Sequence, residues 1–487
     1  MSGDTKTGHQ QNSSGTQLPE LRRSPGRVMS WTRLLSPERE RKRAGAVSSP
    51  EGHRNSFDMD YDRIVYSSSL RRLQDKAQVF PLQENDFTRT RLTHSLEASA
   101  IGRSLGNKVG RWLEERDQEY RLFHAGKLST LLQVAGLVHD LGNPPFGHYG
   151  EDVIRQWFLQ SGVAPALSGA ERSDFTLYDG NAQTIRILSR LQFLKDRHGI
   201  NFCYGTLATL LKYPWDSADP RAGERGKFGF FQSEKELCCT VMEATGIIGR
   251  HPATYLLEAA DDIAYLFADL EDAVKKGHVP WPRVCGQLMA DSDLWNGFEG
   301  QHQDLQKELD RLGKSGLPYE EMDQVSVQHF KIIGQVMCIN AVFDEFTTAY
   351  EDIMAGCYSR KALLDAPPIK TFAGRVRDLC IKYAYSNSEV LTLEIIAKSV
   401  MTTILKSFVP AILDDRYDDP RTESGKICRL ISKNFEYVQK LDNDSVYRPE
   451  ARLSCYQRVQ LVIDFISGMT DSYALNLHKK FLGMILP

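Results

Sequence analysis

The chain is short of the features that would mark it as secreted, membrane-embedded or broadly nucleic-acid binding. Its nine cysteines, at positions 203, 238, 239, 285, 338, 357, 380, 428 and 455, form no CxxC pair, and none lies in the first 200 residues. That pattern argues against a zinc cage or a disulfide framework and fits free thiols in a reducing, cytoplasmic setting. No run reaches the roughly 18 apolar residues that span a bilayer. The opening MSGDTKTGHQQNSSGTQLPELRRSPGR has no apolar signal-peptide core, so no membrane partner is expected. Neither sign of charge prevails: 60 Lys and Arg stand against 63 Asp and Glu, a net charge of -3. This balance argues against a dedicated nucleic-acid binder but leaves room for a local basic patch. Alternating β-type runs are short and few, and no internal repeat is visible.

What is present is a long chain with helical periodicity. At 487 residues it exceeds one ordinary core, so two or three packed subdomains are expected. Hydrophobic residues make up 41% and charged residues 25%, the mix of a soluble globular protein. Residues 1–27 are polar and rich in Ser, Gly and Gln, and read as a disordered tail. The charged run SPERERKRAG (36–45) reads as a solvated, exposed helix. Beyond about residue 60, helices are expected over 92–106, 128–142, 252–274, 327–346, 390–408 and 458–481. Gly142 is a plausible helix stop, and Pro252 is a favoured first-position proline at a helix start. The Gly- and charge-rich segment 216–233 reads as a loop. The fold expected is mostly α.

Chemistry concentrates in a few places. His139-Asp140 closes an apolar helix. Helical neighbours point about 100° apart, so both can reach one cation only from a helix end or into a shared pocket. Burying both without a partner is costly, and a divalent cation would satisfy both. An HD dipeptide alone is weak evidence, but His94 on an earlier helix and Asp261 on a later one extend it to H…HD…D. Two imidazoles and two carboxylates suit Mg²⁺ or Mn²⁺, and also Co²⁺ or Fe²⁺, with positions left open for water and a phosphate oxygen. On spacing alone Asp262 is as well placed as Asp261. The following LGNPPFGHYGE (141–151) must break the helix. It then sets His148 and Glu151 three residues apart, on one face if a new helix starts there, as a carboxylate-oriented acid or base. Asp261, Tyr265 and Asp269 step by four as a polar stripe on an apolar helix. Arg89, Arg91, Lys212-Tyr213 and Lys227 are the nearby groups able to hold phosphates.

These motifs resemble, in order, those of the bacterial deoxyguanosinetriphosphate triphosphohydrolases of the HD superfamily. The resemblance is carried by YSSSLRRLQDKAQVFPLQENDFTRTRLTHSLE (66–97), HDLGNPPFGHYGE (139–151), GNAQTIRIL (180–188), LLKYPW (210–215), FFQSE (230–234), EAADDIAYLFADLEDA (258–273) and DFISGMTDSYA (464–474). It implies a helical HD-domain core over 28–280 and an additional helical C-terminal region over 281–487 that serves oligomerisation and the base pocket. It implies His94, His139, Asp140 and Asp261 as metal ligands and His148 with Glu151 as the catalytic pair. Gln78, Tyr265 and Asp269 would contact the sugar and its 3′-hydroxyl, and Arg91, Lys212, Tyr213 and Lys227 the triphosphate. Asn181 would be an active-site wall residue. The implied reaction is metal-dependent hydrolysis of a dNTP, dGTP first, to deoxynucleoside and triphosphate, by a homo-oligomer (hexamer or tetramer) with a nucleotide or single-stranded DNA as a further effector. The competing readings are another HD phosphohydrolase, such as a 5′-nucleotidase or cyclic-nucleotide phosphodiesterase, and a nucleotide-sensing or DNA-binding oligomer without turnover.

Overall fold

A computed structural model describes residues 28–41, 54–80, 82, 87–163, 167–192, 196–441 and 445–485. The expected polar tail, 1–27, lies outside the described residues. Among these residues the regular structure is helical, with β-pairing confined to three isolated bridges. The expectation of a mostly α fold holds.

The helices that position the site start where local chemistry dictates. Helix α1 (Arg91–Arg116) is opened by Thr90, whose side chain accepts from the Thr93 amide in a capping box. Helix α2 (Lys127–Val138) is almost wholly buried. The two lie in close contact because α1 carries glycine at the crossing: a Cβ on Gly106 would sit 2.6 Å from Ser129 Cα. This approach brings His94 of α1 beside the end of α2. Helix α3 (Gly147–Gln160) follows the HD turn, and α4 (Gly180–Arg186) is capped by Asp179, which accepts from the Asn181 amide. Helix α5 (Pro252–Lys275) starts with proline at its first position and His251 as cap. Helices α6 (Tyr319–Thr348), α7 (Ser388–Leu413), α8 (Cys455–Ser467) and α9 (Asp471–Phe481) complete the frame.

Two apolar cores result. The first packs α1, α2, α5 and α6 around Leu105, Leu131, Ile263, Phe267 and Phe330. The second packs α3, α7 and α8 around Ile154, Phe158, Ile404, Phe408 and Val462. Each fully buried side chain of this size contributes about 1.5–3 kcal/mol of transfer free energy. Both cores draw on residues from either side of position 280. Arg186 of α4 helps join them: its Nε and Nη2 each donate to Asp464 of α8 at 2.7 Å, and its Nη1 donates to Glu234 at 2.7 Å.

Several expectations need correction. The apolar helix ends at Val138, not Gly142, so His139 is its cap and Asp140 lies in the turn. The helix expected over 458–481 breaks at Gly468, and Thr470 caps a new one. The expected loop 216–233 contains a short helix, Pro220–Arg225, capped by Asp219. Of the charged run 36–45, residues 42–45 lie outside the described residues, and 36–41 are not a solvated helix. Arg39 pairs with Asp60 at 2.6 Å, Glu40 with Arg190 at 2.8 Å and Arg41 with Asp196 at 2.7 Å, and these long-range partners hold the segment extended. Among the described residues one helix, α7, is long and apolar enough to cross a membrane by length and composition, and half of its most apolar window is buried.

Candidate active site

The HD pair gains its geometry from the end of α2. The last turn delivers His139, whose Nδ1 donates to the Gly136 carbonyl at 2.8 Å. With Nδ1 carrying the proton, Nε2 keeps its lone pair. That Nε2 is buried and has no hydrogen-bond partner. The ligand atoms of His94, His139 and Asp140 lie within 4.8 Å of one another. Asp261 of α5 joins them: its Oδ1 is 3.0 Å from His94 Nε2 and 3.3 Å from His139 Nε2. Asp262, equal on spacing, makes neither contact. An orphaned imidazole nitrogen facing a second imidazole and two carboxylates is the arrangement a divalent cation fits. Burial pushes His139 down, but the charges of Asp140 and Asp261 outweigh it and raise the ring to about 9. A cation would compete with that proton.

Asp140 is held from both sides. Arg91 Nη1 donates to its Oδ2 at 2.5 Å and Asn143 Nδ2 to its Oδ1 at 2.7 Å. Burial raises the Asp140 carboxyl, and the Arg91, His139 and His94 charges more than reverse this, so it stays anionic. Thr184 of α4 fixes the turn by donating to the His139 carbonyl at 3.1 Å and accepting from the Gly142 amide at 2.9 Å.

The turn then swings into α3 through Phe146 at φ 63. A left-handed phenylalanine is strained and persists because Asp471 of α9 holds its amide at 2.9 Å. The other Asp471 oxygen holds the Ala77 amide at 2.9 Å, next to Gln78. One buried carboxylate thus ties both loops of the site. On α3, His148 and Glu151 meet as the spacing suggested: His148 Nδ1 is 3.2 Å from Glu151 Oε2. The imidazole is 77% exposed and the carboxylate 2%. The Glu151 hydrogen bond and charge raise His148. Burial pushes Glu151 up, but the His148 bond and the Lys227 and Arg155 charges hold it down at about 2. Glu151 Oε1 accepts from the Gly180 amide at 2.9 Å. Only glycine fits at 180, where a Cβ would lie 2.6 Å from that oxygen.

The polar stripe of α5 faces this space. Asp261, Tyr265 and Asp269 line one cavity of about 520 Å³ together with Gln78, Arg91 and His148. Gln78 Oε1 is buried without a partner. Burial raises Asp269 to about 7, and it accepts from Tyr385 Oη at 2.5 Å. The far wall is Val390, Leu393, Glu394 and Ala397 of α7. A smaller cavity of about 100 Å³ lies at the donor cluster, lined by His139, Asp140, His148, Asn181, Lys212 and Glu258 among others. A third, of about 1150 Å³, takes in Lys212, Tyr213 and Lys227. Lys212 lines all three.

The expected phosphate-binding residues therefore divide. Arg91 and Lys212 face the site directly; Tyr213 and Lys227 line the adjoining cleft. Lys227 Nζ lies 3.2 Å from Asp179 and 3.6 Å from Glu151. Arg89 is not brought to the site. It is locked with Glu97 at 3.1 Å and with Glu271 and Asp272, whose charges raise it despite burial. Residues that local pattern did not single out are Lys76, Asn143, Asp179, Glu258, Tyr385 and Asp471. The Asp-Gly-Asn cap at 179–181 is the one signal that could have flagged any of them.

An HD domain model matches residues 91–173, and a phosphohydrolase-associated domain model matches residues 367–480. The chain is 36% identical over 477 residues to a deoxyguanosinetriphosphate triphosphohydrolase-like protein of Listeria innocua, covering 94% of this chain and 100% of the relative. A protein of the same description from Synechocystis is 34% identical, over 94% of this chain and 100% of its own length. A deoxyguanosinetriphosphate triphosphohydrolase of Klebsiella pneumoniae is 29% identical, over 88% and 94% respectively.

Proposed function

Because the chain belongs to the deoxyguanosinetriphosphate triphosphohydrolase-like family of HD phosphohydrolases, we propose that it hydrolyses deoxynucleoside triphosphates, dGTP foremost, to the deoxynucleoside and intact triphosphate. The observation that carries this reading is the order of groups around Lys212: the polar stripe with Tyr265 and Asp269 on one side, the donors His139, Asp140 and Asp261 with His94 against them in the middle, and cations on the other.

His94, His139, Asp140 and Asp261 would hold a divalent cation, Mg²⁺ or Mn²⁺ first and Co²⁺ or Fe²⁺ by the same donors. When bound, such an ion supplies Lewis acidity at a phosphoryl oxygen and a lowered pKa for water. The chain's own residues do the rest. Arg91, Lys212 and Lys227 offset the triphosphate charge, with the Tyr213 hydroxyl as a further donor. Water attacks the α-phosphorus, a new P–O bond forms, and the bond to O5′ breaks. His148, with Nδ1 held by Glu151, presents Nε2 and donates the proton that O5′ needs. The proton lost by the water restores the pair.

Selectivity follows from the other end. Gln78 Oε1, Tyr265 and the Asp269–Tyr385 pair suit the 3′-hydroxyl and close packing at C2′, which disfavours a ribose. Glu394 supports guanine, whose N1–H and N2–H₂ form adjacent donors that a carboxylate accepts together. Leu391 and Ile395 of α7 are 48% and 71% exposed. A long apolar helix left open in this way supports a homo-oligomer, hexamer or tetramer, in which a nucleotide or single-stranded DNA effector would act. A panel of the four dNTPs and GTP, with Mg²⁺ or Mn²⁺, tests the reading. Expected is turnover of dGTP above the other dNTPs and none of GTP, with Glu394→Gln costing about tenfold or more of the dGTP preference. Equal turnover of dGTP and GTP would overturn it.

A further inference from the structure

The 1150 Å³ cleft is larger than the site it adjoins, and its charge is lopsided. It begins at Lys212 and Lys227 and runs between the Tyr213–Trp215 strip and the helix Pro220–Arg225 on one wall and Arg250 with the 355–361 loop on the other. Arg221, Arg225, Arg250, Arg360 and Lys361 line it, and its one lining carboxylate is Glu258. Glu258 already takes Lys212 at 3.0 Å and also Arg250. Arg221 pairs with Asp219 at 2.6 Å, and Arg360 with Glu345. Lys212 and Arg250 thus share the single charge of Glu258, and Arg225 and Lys361 have no carboxylate partner among the described residues. In a chain of net charge -3 this excess is local. The Arg221 and Arg225 guanidinium groups lie 4.6 and 5.5 Å from the Trp215 ring centroid. They cover the aromatic face on which a base would stack. Planar guanidiniums fixed along a groove suit phosphate oxygens instead.

We propose that this cleft binds linear polyphosphate chains longer than triphosphate, entering through Lys212 and so competing with substrate. The proposal rests on the reading that Lys212 and Lys227 face the triphosphate. A three-phosphate chain ends near those lysines; a longer one continues toward Arg225 and Lys361. The same path would take a deoxynucleoside 5′-tetraphosphate.

The test is calorimetric titration of the whole protein with inorganic tripolyphosphate and with linear polyphosphate of medium length, without turnover. The comparison protein is an Arg225→Gln/Lys361→Gln double variant. Both residues are exposed, so folding should be unaffected, and matching melting curves check this. Expected in the parent is binding of the long chain about tenfold or more tighter than tripolyphosphate, weakening steeply with salt. The double variant should lose that length dependence while keeping its dNTP kcat and KM. Equal affinity for both lengths, or a length dependence that survives in the double variant, overturns the proposal. So does an oligonucleotide whose binding is lost in the variant while polyphosphate binding is not, since the cleft would then be a nucleic-acid groove. Because binding is read without hydrolysis, failure of the cleft and failure of the dNTP reading are separate results.

Discussion

Asp471 offers a sharp perturbation because a residue far from the HD pair in sequence holds both active-site loops. It is 2% exposed and accepts from the Phe146 and Ala77 amides, each at 2.9 Å. Hydrogen bonds to a charged acceptor contribute about 1.5–3 kcal/mol each. Asp471→Ala leaves two amides unpartnered and should cost about 3–5 kcal/mol of stability. Asp471→Asn keeps one acceptor and turns an NH₂ against the other amide, at about 1–3 kcal/mol. The loss falls where strain is stored: Phe146, at φ 63, has no other hydrogen bond to its amide. Once released, α3 no longer aims His148. Misplacement of a catalytic group by about 1 Å costs on the order of a hundredfold in rate. Melting curves and steady-state kinetics of Asp471→Asn, taken below its melting range, separate the two effects. The expectation is a fall in kcat of about a hundredfold with a smaller change in KM, because Lys212 stands on another support, its ion pair with Glu258. A variant that melts lower yet keeps the parent kcat would refute the positioning role.

Glu151→Gln removes the charge that raises His148 and leaves one acceptor oxygen for two donors, His148 Nδ1 and the Gly180 amide. The alkaline limb of the pH–rate profile, where a proton donor is lost, should therefore move to lower pH, with kcat down about a hundredfold or more. His251 is fully buried; burial lowers it to about 4, while its ring bonds the Leu34 carbonyl and the Ala253 amide. The unfolded chain, with its histidine near 6.5, binds the proton first, so stability is complete above that pH and falls by about 3 kcal/mol as pH drops toward 4. His251→Asn, which keeps a cap acceptor, should flatten this part of a stability–pH curve measured by urea titration. Arg186→Ala strands Asp464 and Glu234 in the interior and should cost about 3–5 kcal/mol in the same titration.

Three of the four clustered donors are marked locally in the sequence. His139-Asp140 sits where an apolar run stops, and Asp261 interrupts another such run. The choice of Asp261 over Asp262 was not legible from spacing, since a difference of 100° about a helix matters only once the partner helix is in place. The helices Cys455–Ser467 and Asp471–Phe481 read as one over 458–481 because apolar periodicity continues across Gly468; Thr470 followed by Asp471 is the cap signal that separates them. Lys76 was out of reach of local pattern. Its ammonium is buried and donates to the Asn143 and Ser467 carbonyls at 2.6 and 2.7 Å, and burial lowers it to about 7. A contact spanning nearly the whole chain leaves no trace in periodicity. Arg89 shows the converse: its place beside RTRLTHS suggested phosphate binding, but three carboxylates of α1 and α5 claim it.

The proposed reaction attacks the α-phosphorus and releases an intact triphosphate. Hydrolysis of dGTP in ¹⁸O-enriched water, with products separated by anion exchange and read by mass spectrometry, tests it directly, and His139→Ala serves as the control. Expected are unlabelled deoxyguanosine and triphosphate carrying one ¹⁸O, both lost in the control. Release of monophosphate with pyrophosphate, or label in the deoxyguanosine, would contradict it.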